Sequence, residues 1–502
     1  MLRNKIKKTT LNLNPKIKSQ MKNSIGLVLL IQFIFTPSKA ETPIERFTTS
    51  PLLKNANVSV MIKNLETGKI TSAYRPENVA IPASTLKLVT TASALEMLGA
   101  DFRFQTKLEI DGELSPKGIL NGNLFILGGG DPTLGSKYIG DPDFLTKWVN
   151  AVKNAGINKI NGRIIADESL YEDEGVNPHW TWEDLGNYYA AGAYGISYLD
   201  NTFALILNSG AVGTTPKIIR TEPEMSFLNI DNHLISSTID FDSAYFHGAP
   251  HSNLRVLRGE IPANRREFSV KGDIPNPGLL LVEHFQNELI KNGITICQPP
   301  ANIIQNTTVR KLIFSQDSPP LKDIITQTNI HSINLFAESI FRYLALKHAS
   351  VASTRNAITE MRNFLISKGF PVDELFLNDG CGLSATDAVS ANFLVKILEY
   401  MKTKSQNRIE FYNSLPIAGE NGTLKKFLAG THLQGKVHAK SGTISGVKTY
   451  AGYVESNSKT YAFAILVNHA YGSSKRVTTA IEDLLLKTFP LNSKNKIKQT
   501  RH

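Results

Sequence analysis

Three short stretches of the sequence pair a hydroxyl with an amine or an amide at a spacing that could serve chemistry. In Ser84-Thr85-Leu86-Lys87 a serine precedes a lysine by three residues. Positions i and i+3 are neighbours on a helix, so the amine can reach the hydroxyl. A serine is a poor nucleophile until a base takes its proton, and lysine is such a base only where burial or charge lowers its pKa. The start of a helix adds unpaired N–H groups and a positive dipole, both suited to a developing oxyanion. On its own, the stretch reads more readily as an N-cap serine followed by a solvated lysine. Ser332-Ile333-Asn334, just before the amphipathic run LFAESIFRYLA, sets a serine and an asparagine on one side of a turn. They could relay a proton and hold a carbonyl, or only cap a helix; His331 beside them is a candidate base or a polar loop neighbour. Lys440-Ser441-Gly442-Thr443 opens an alternating strand. Its glycine lets a ligand approach the backbone, and its lysine offers a cation for a carboxylate. Alone, it is also a solvated lysine beside a turn.

Elements must hold these stretches. NVSVMIKNLETGKITSAYRP alternates, breaks at Glu66-Thr67-Gly68 and alternates again, which predicts a hairpin. A helix over 83–98 follows, with Leu86, Val89, Leu95 and Leu98 on an apolar face. From about Phe102 to Pro300 short alternating runs are separated by turn signals. These include Asp111-Gly112, Gly128-Gly129-Gly130-Asp131-Pro132 and Pro275-Asn276-Pro277, and one helical interruption falls at DPDFLTKWVNAVKNAG. Helical periodicity returns at about 321 in LKDIITQTNIHSINLFAESIFRYLALKHA, TRNAITEMRNFLISKG and SANFLVKILEYMKT. The chain closes on a hairpin turning at Asn457-Ser458 and a last helix, KRVTTAIEDLLLKTF. Hairpins and helices at both ends around a strand-rich middle imply one domain interrupted by another. The ranges expected are 41–102 with 305–490 for the outer domain and 103–304 for the insertion, which has room for two subdomains.

The net charge of +11 suggests nucleic acid until it is located. Residues 1–40 carry eight basic residues and no acid, and 491–502 carry four and no acid, so the body between them is nearly neutral. No nucleic-acid footprint is expected there. MKNSIGLVLLIQFIFTPSKAE has a basic start, an apolar run from Ile25 to Phe35 and small residues before Glu41. It reads as an export signal over 1–40 cleaved near Ala40, with Met21 as an alternative start and an uncleaved N-terminal anchor as the alternative reading. Cys297 and Cys381 are expected to be two unpaired thiols. No His/Asp/Glu set has metal-ligand spacing, and neither a metal nor a cofactor is expected.

Each stretch is weak alone, but their order is not. The first opens a helix after a hairpin, the second precedes a helix and the third opens a C-terminal hairpin. Together they match the S-x-x-K, S-x-N and K-[ST]-G arrangement of serine β-lactamases and penicillin-binding proteins. The chain resembles the penicillin-binding proteins that act as D-alanyl-D-alanine carboxypeptidases and endopeptidases and carry a large insertion. The resemblance covers nearly all of 45–488, including GGGDPTL at 128–134, WTWEDLGNYYAAGAYGISYLDN at 180–201, NDGCGLS at 378–384 and SLPIAGENGTL at 414–424. It implies an α/β (α+β) transpeptidase-like core, an antiparallel sheet flanked by helices.

The resemblance also implies roles. Ser84 is the acylated nucleophile, Lys87 its base and Ser332 the proton relay. Asn334 holds the substrate amide, and Lys440 with Ser441 and Gly442 receives the terminal D-alanine carboxylate. The N–H groups of Ser84 and Thr443 form the oxyanion hole. Asp184, with Tyr189 beside it, contacts the far end of the stem peptide; packing between domains is the alternative reading for both. The activity implied is a periplasmic serine D,D-peptidase acting on peptidoglycan stem peptides, with β-lactams as covalent inhibitors. A β-lactamase or esterase on the same core, and a non-catalytic penicillin-binding receptor, are the alternatives. The basic tail is a candidate contact for membrane or an anionic wall polymer. Three departures stand out. Lys-Ser-Gly replaces the commoner Lys-Thr-Gly, Cys381 stands where serine is usual, and Ala385 stands where relatives often carry an arginine for a remote substrate carboxylate.

Overall fold

The computed structural model describes residues 41–172, 175–303 and 309–491. The export segment expected over 1–40 and all but the first residue of the basic tail lie outside them. The two ends of the described chain build one antiparallel sheet. Its strands run in the order Ile70–Tyr74, Asn57–Asn64, Lys459–Asn468, Val447–Ser456, Val437–Ile444. Asn57 pairs with Asn468 and Asn64 with Tyr461, so the first strand is clamped by almost the last. The C-terminal hairpin turns at Asn457 (φ 52°) and Ser458 (φ 57°), between the paired Ser456 and Lys459. Two left-handed residues in a two-residue loop match the twist of the strands.

Alternation along Lys459–Asn468 assigns its side chains to two cores. Phe463, Ile465 and Val467 join Phe47, Val477, Ile481 and Leu484 of the terminal helices Pro43–Thr48 and Ser474–Thr488. Ala462, Ala464 and Leu466 join Leu88, Val89, Leu95, Phe393 and Leu394 of the helices Lys87–Leu98 and Ala391–Thr403. With both faces covered, the strand reads as a nearly continuous apolar run. Each buried Val, Leu, Ile or Phe contributes about 1.5–3 kcal/mol by transfer from water.

The helix expected over 83–98 differs at its start. Ala83–Leu86 forms a 3-10 turn and the α-helix begins at Lys87. The Pro82 carbonyl accepts from the Thr85 amide (3.3 Å), Thr85 Oγ1 (2.7 Å) and Thr449 Oγ1 (2.6 Å), which draws it out of the α-helical ladder. Every residue from Lys87 to Leu95 is buried, so this is a core helix and not one with a single apolar face. The helical run from 321 also breaks, into Leu321–His331 and Asn334–Tyr343. Ser332 between them is left-handed (φ 58°, ψ 42°), and its amide closes the first helix on the Thr328 carbonyl.

The middle of the chain is strand-rich, around a second core. One sheet runs Ala301–Ile303, Ile164–Asp167, Leu124–Leu127, Gln105–Ile110, Lys311–Asp317. Gln105 pairs with Asp317 and Thr106 with Gln316, so the chain leaves the body built from its two ends and returns to it by adjacent strands. Besides the expected helix, found at Phe144–Asn154, a second spans Pro277–Lys291. Its start was read as a turn. Pro277 occupies the first helical position, and Asn276 Oδ1 accepts from the Leu279 amide (2.9 Å), which is a capped helix start built from turn-forming residues. Cys297 and Cys381 are both free thiols, one exposed and one buried. Among the described residues no helix is long and apolar enough to cross a membrane.

Candidate active site

The site lies where the edge strand Val437–Ile444, the turn before Lys87 and the Ser332 break meet. Two contacts set the turn's position. Asn468, at the end of the penultimate element, accepts from the Ile81 amide (2.7 Å) and donates to the Ile81 carbonyl (3.1 Å). Gly442 lets the edge strand lie against the turn: a Cβ there would sit 2.2 Å from Thr449 Oγ1 and 2.7 Å from the Pro82 carbonyl.

Lys87 is completely buried, and its Nζ has three neighbours: Ser84 Oγ at 3.0 Å, Asn334 Oδ1 at 2.6 Å and the Cys381 carbonyl at 2.7 Å. Two of these can only accept. The Asn334 amide is oriented by its other end, where Nδ2 donates to the Tyr189 carbonyl (2.7 Å). A neutral amine has two N–H donors and one lone pair. The donors go to Asn334 and Cys381, and the lone pair is left for the Ser84 hydroxyl. Burial lowers the Lys87 pKa against the opposing pull of the acidic groups around it, which favours this neutral form.

The Cys381 carbonyl is aimed by Asp379. This buried carboxylate accepts from the amides of Cys381 (3.0 Å), Gly382 (2.6 Å), Leu383 (2.9 Å) and Ser384 (2.8 Å), and from Trp180 Nε1 (2.9 Å). Beside it, Glu338 accepts from the Gly380 amide (2.6 Å), and burial with the Asp379 charge pushes its pKa up to about 8. Glu338, Asp379 and Cys381 lie close enough to suggest a metal site. The two Asp379 oxygens are instead spent on five N–H donors, so the cluster is a hydrogen-bond hub.

Lys440 is also fully buried, and its Nζ donates to Ser332 Oγ (2.8 Å) and the Ser441 carbonyl (2.8 Å). Burial first, then the charges of Lys87 and Lys448, holds its pKa well below the ordinary lysine range. Ser441 Oγ donates to Thr423 Oγ1 (2.9 Å), and Thr443 Oγ1 accepts from Lys448 Nζ (2.8 Å).

The structure therefore brings together Ser84, Lys87, Ser332, Asn334 and the 440–443 stretch. Tyr189 joins them through its backbone carbonyl. Its phenol is pushed up by burial and by the neighbouring Asp184, which in turn accepts from Thr181 Oγ1 (2.6 Å). Their loop is tied to the catalytic body by Trp180, by Asn177 Nδ2 on the Asn378 carbonyl (2.7 Å) and by Tyr189. His331 ends its helix with its ring against Tyr138, 5.0 Å between centroids. Sequence reasoning missed Asp379, Glu338, Asn468 and Lys448. The NDGCGLS stretch was visible, but its function as an amide cradle was not.

A serine hydroxyl on a buried lysine amine, a second serine on a second buried lysine, and an antiparallel sheet with helices on both faces define a serine acyl-transfer protein of the penicillin-binding and β-lactamase class. The model of the D-Ala-D-Ala carboxypeptidase 3 (S13) family matches residues 40–488, and the chain belongs to that family. It is 26% identical over 456 residues to a D-alanyl-D-alanine carboxypeptidase of Actinomadura sp. (strain R39), covering 88% of this chain and 82% of the relative. It is 24% identical over 459 residues to the D-alanyl-D-alanine carboxypeptidase DacB of Haemophilus influenzae, covering 90% and 93%. The crystal structure of penicillin-binding protein 4 (dacB) from H. influenzae shares the fold. Its TM-score is 0.76 at 24% identity, covering 88% of this chain and 98% of that one.

Proposed function

We propose that the protein is an exported serine D,D-peptidase that cleaves the D-Ala-D-Ala bond, or the D-Ala–diaminopimelate cross-link, of peptidoglycan stem peptides through an acyl-enzyme. The observation that carries this is the tripod of contacts on Lys87 Nζ, which leaves a lone pair for one partner only, the Ser84 hydroxyl. Ser84 Oγ attacks the penultimate D-alanine carbonyl while Lys87 takes its proton. The charge on the carbonyl oxygen is met by the N–H groups of Ser84 and Thr443. The amide bond breaks as the leaving nitrogen takes a proton from Ser332 Oγ, whose own oxygen is held by Lys440 Nζ; Ser332 then recovers the proton that Lys87 took from Ser84, which leaves Lys87 neutral again. Water then attacks the ester, Lys87 accepting its proton, and Ser84 leaves with a proton restored. β-Lactams enter at the same step and remain as esters.

In this reading 41–102 and 305–490 form the catalytic domain, and the 103–304 insertion supplies the loop bearing Asp184 and Tyr189. Location in the periplasm, with cleavage near Ala40, and contact of the 491–502 tail with membrane or an anionic wall polymer belong to the same proposal. Fluorescent penicillin tests it: Ser84 of the wild type is labelled and Ser84→Ala is not. Muropeptides incubated with the purified protein release D-alanine or monomers by mass spectrometry. Absence of labelling, or undiminished labelling of Ser84→Ala, overturns the reading.

A further inference from the structure

Lys440 is the lysine expected to receive the substrate's terminal carboxylate, yet its amine is fully buried and already donates to Ser332 Oγ and the Ser441 carbonyl. Neighbouring residues of a strand project to opposite faces. Lys440 projects to the face packed on the nucleophile turn, where Thr449 bonds the Pro82 carbonyl, and there it is buried on Ser332. Ser441 and Thr443 project to the other face. That face is marked by Tyr450, which pairs with Ser441 and stacks on Phe427 at 4.2 Å over the terminal-helix core. Lys448 pairs with Thr443 across the same strands, shares this face and bonds Thr443 Oγ1 at 2.8 Å. Thr443 is exposed and Lys448 partly so.

From this placement we propose that Lys448 is the specificity-determining cation for the terminal carboxylate, acting with the Thr443 hydroxyl as a two-donor clamp. Thr443 Oγ1 accepts from Lys448, so its own proton is free to meet an anion. The carboxylate carbon lies two bonds beyond the scissile nitrogen, so its subsite must adjoin the oxyanion position, and Thr443 borders both. Among the described residues no ion pair joins Lys448 to a carboxylate; its Nζ is bonded to Thr443 Oγ1, and burial lowers its pKa. Lys440 is in the same state, with only lysine charges acting on it. Of the amines of Lys87, Lys440 and Lys448, the first two are already held by catalytic partners, and Lys448 is the one that is not.

The inference rests on the D,D-peptidase reading and is tested with two matched peptides ending in D-Ala-D-Ala, one as the free acid and one as the C-terminal amide. Wild type is expected to prefer the acid by roughly tenfold to a hundredfold in kcat/KM, the scale of one charge-assisted hydrogen bond. Lys448→Met loses that factor on the acid, chiefly through KM, and equals wild type on the amide; Lys448→Arg recovers most of it. An equal loss on both peptides makes Lys448 merely structural, and no loss on the acid removes it from recognition; either overturns the inference while leaving the D,D-peptidase reading intact. If wild type cleaves neither peptide, that reading falls and the inference with it.

Discussion

At the scale of the residue, the catalytic proposal turns on which atoms Lys87 Nζ can donate to. Its two carbonyl partners accept only, so a protonated Lys87 has just one hydrogen left, and that hydrogen points at the oxygen it must deprotonate. Activity therefore requires the neutral amine. Burial moves the Lys87 pKa down from the ordinary 10.5, and below the shifted value the amine is charged and has no lone pair. The second-order rate of penicillin acylation is expected to fall on the acid side as the pH drops through that value, and a rate that acidification leaves unchanged while the protein stays folded would contradict it. Ser84, Lys87, Ser332 and Asn334 were legible because their side chains carry the chemistry. The carbonyls of Cys381 and Tyr189 were not, since every residue has one and only the fold decides where it points. This is also why cysteine in place of serine at 381 is tolerable: the backbone makes the contact with Lys87, and Sγ faces the carboxylates of Asp379 (3.5 Å) and Glu338 instead.

At the scale of the element, the position of Ser84, the proposed nucleophile, is set by the approach of one strand to one turn. Gly442 has no room for a side chain, and moving Thr449 to make room would break its bond to Pro82. Gly442→Ala is expected to destabilise the protein by about 1–3 kcal/mol through overpacking. Acylation should slow as well, by up to about 10²-fold if the nucleophile shifts by about 1 Å. Denaturant melts and penicillin acylation rates check both; unchanged values for the two would refute the close-approach account. The elements themselves were largely readable from periodicity, including both hairpins and the last helix. The helix Pro277–Lys291 was not, because proline and asparagine signal a turn and a capped helix start alike. The break at Ser332 was hidden inside a continuous helical period, since a single left-handed residue leaves little trace in hydrophobic spacing.

At the scale of the whole molecule, the strand-rich region is not a detachable appendage. Arg342 of the catalytic body is buried, with Nη1 on the Ala193 carbonyl (2.5 Å) and Nη2 on the Glu172 carbonyl (3.1 Å). Tyr171 donates to the Ser339 carbonyl (2.8 Å), and Trp180 reaches Asp379. All three tryptophans, Trp148, Trp180 and Trp182, lie in that region. Their fluorescence reports on it and, through Trp180, on its contact with the rest of the protein, whereas far-UV circular dichroism reports on the whole chain. The two are expected to trace one coincident denaturant transition, and separated transitions would show that the regions unfold independently. Sequence texture located the region but gave no sign of these ties, which join residues more than 140 positions apart through backbone carbonyls. The strand at Lys459–Asn468 carries a consequence in time as well as in space. Ser84 is made early, but the turn that holds it is gripped by Asn468, and the first strand has its partner only when that late segment arrives. A chain synthesised only as far as residue 467 therefore holds Ser84 without the residue that grips its turn, and it is expected not to react with penicillin.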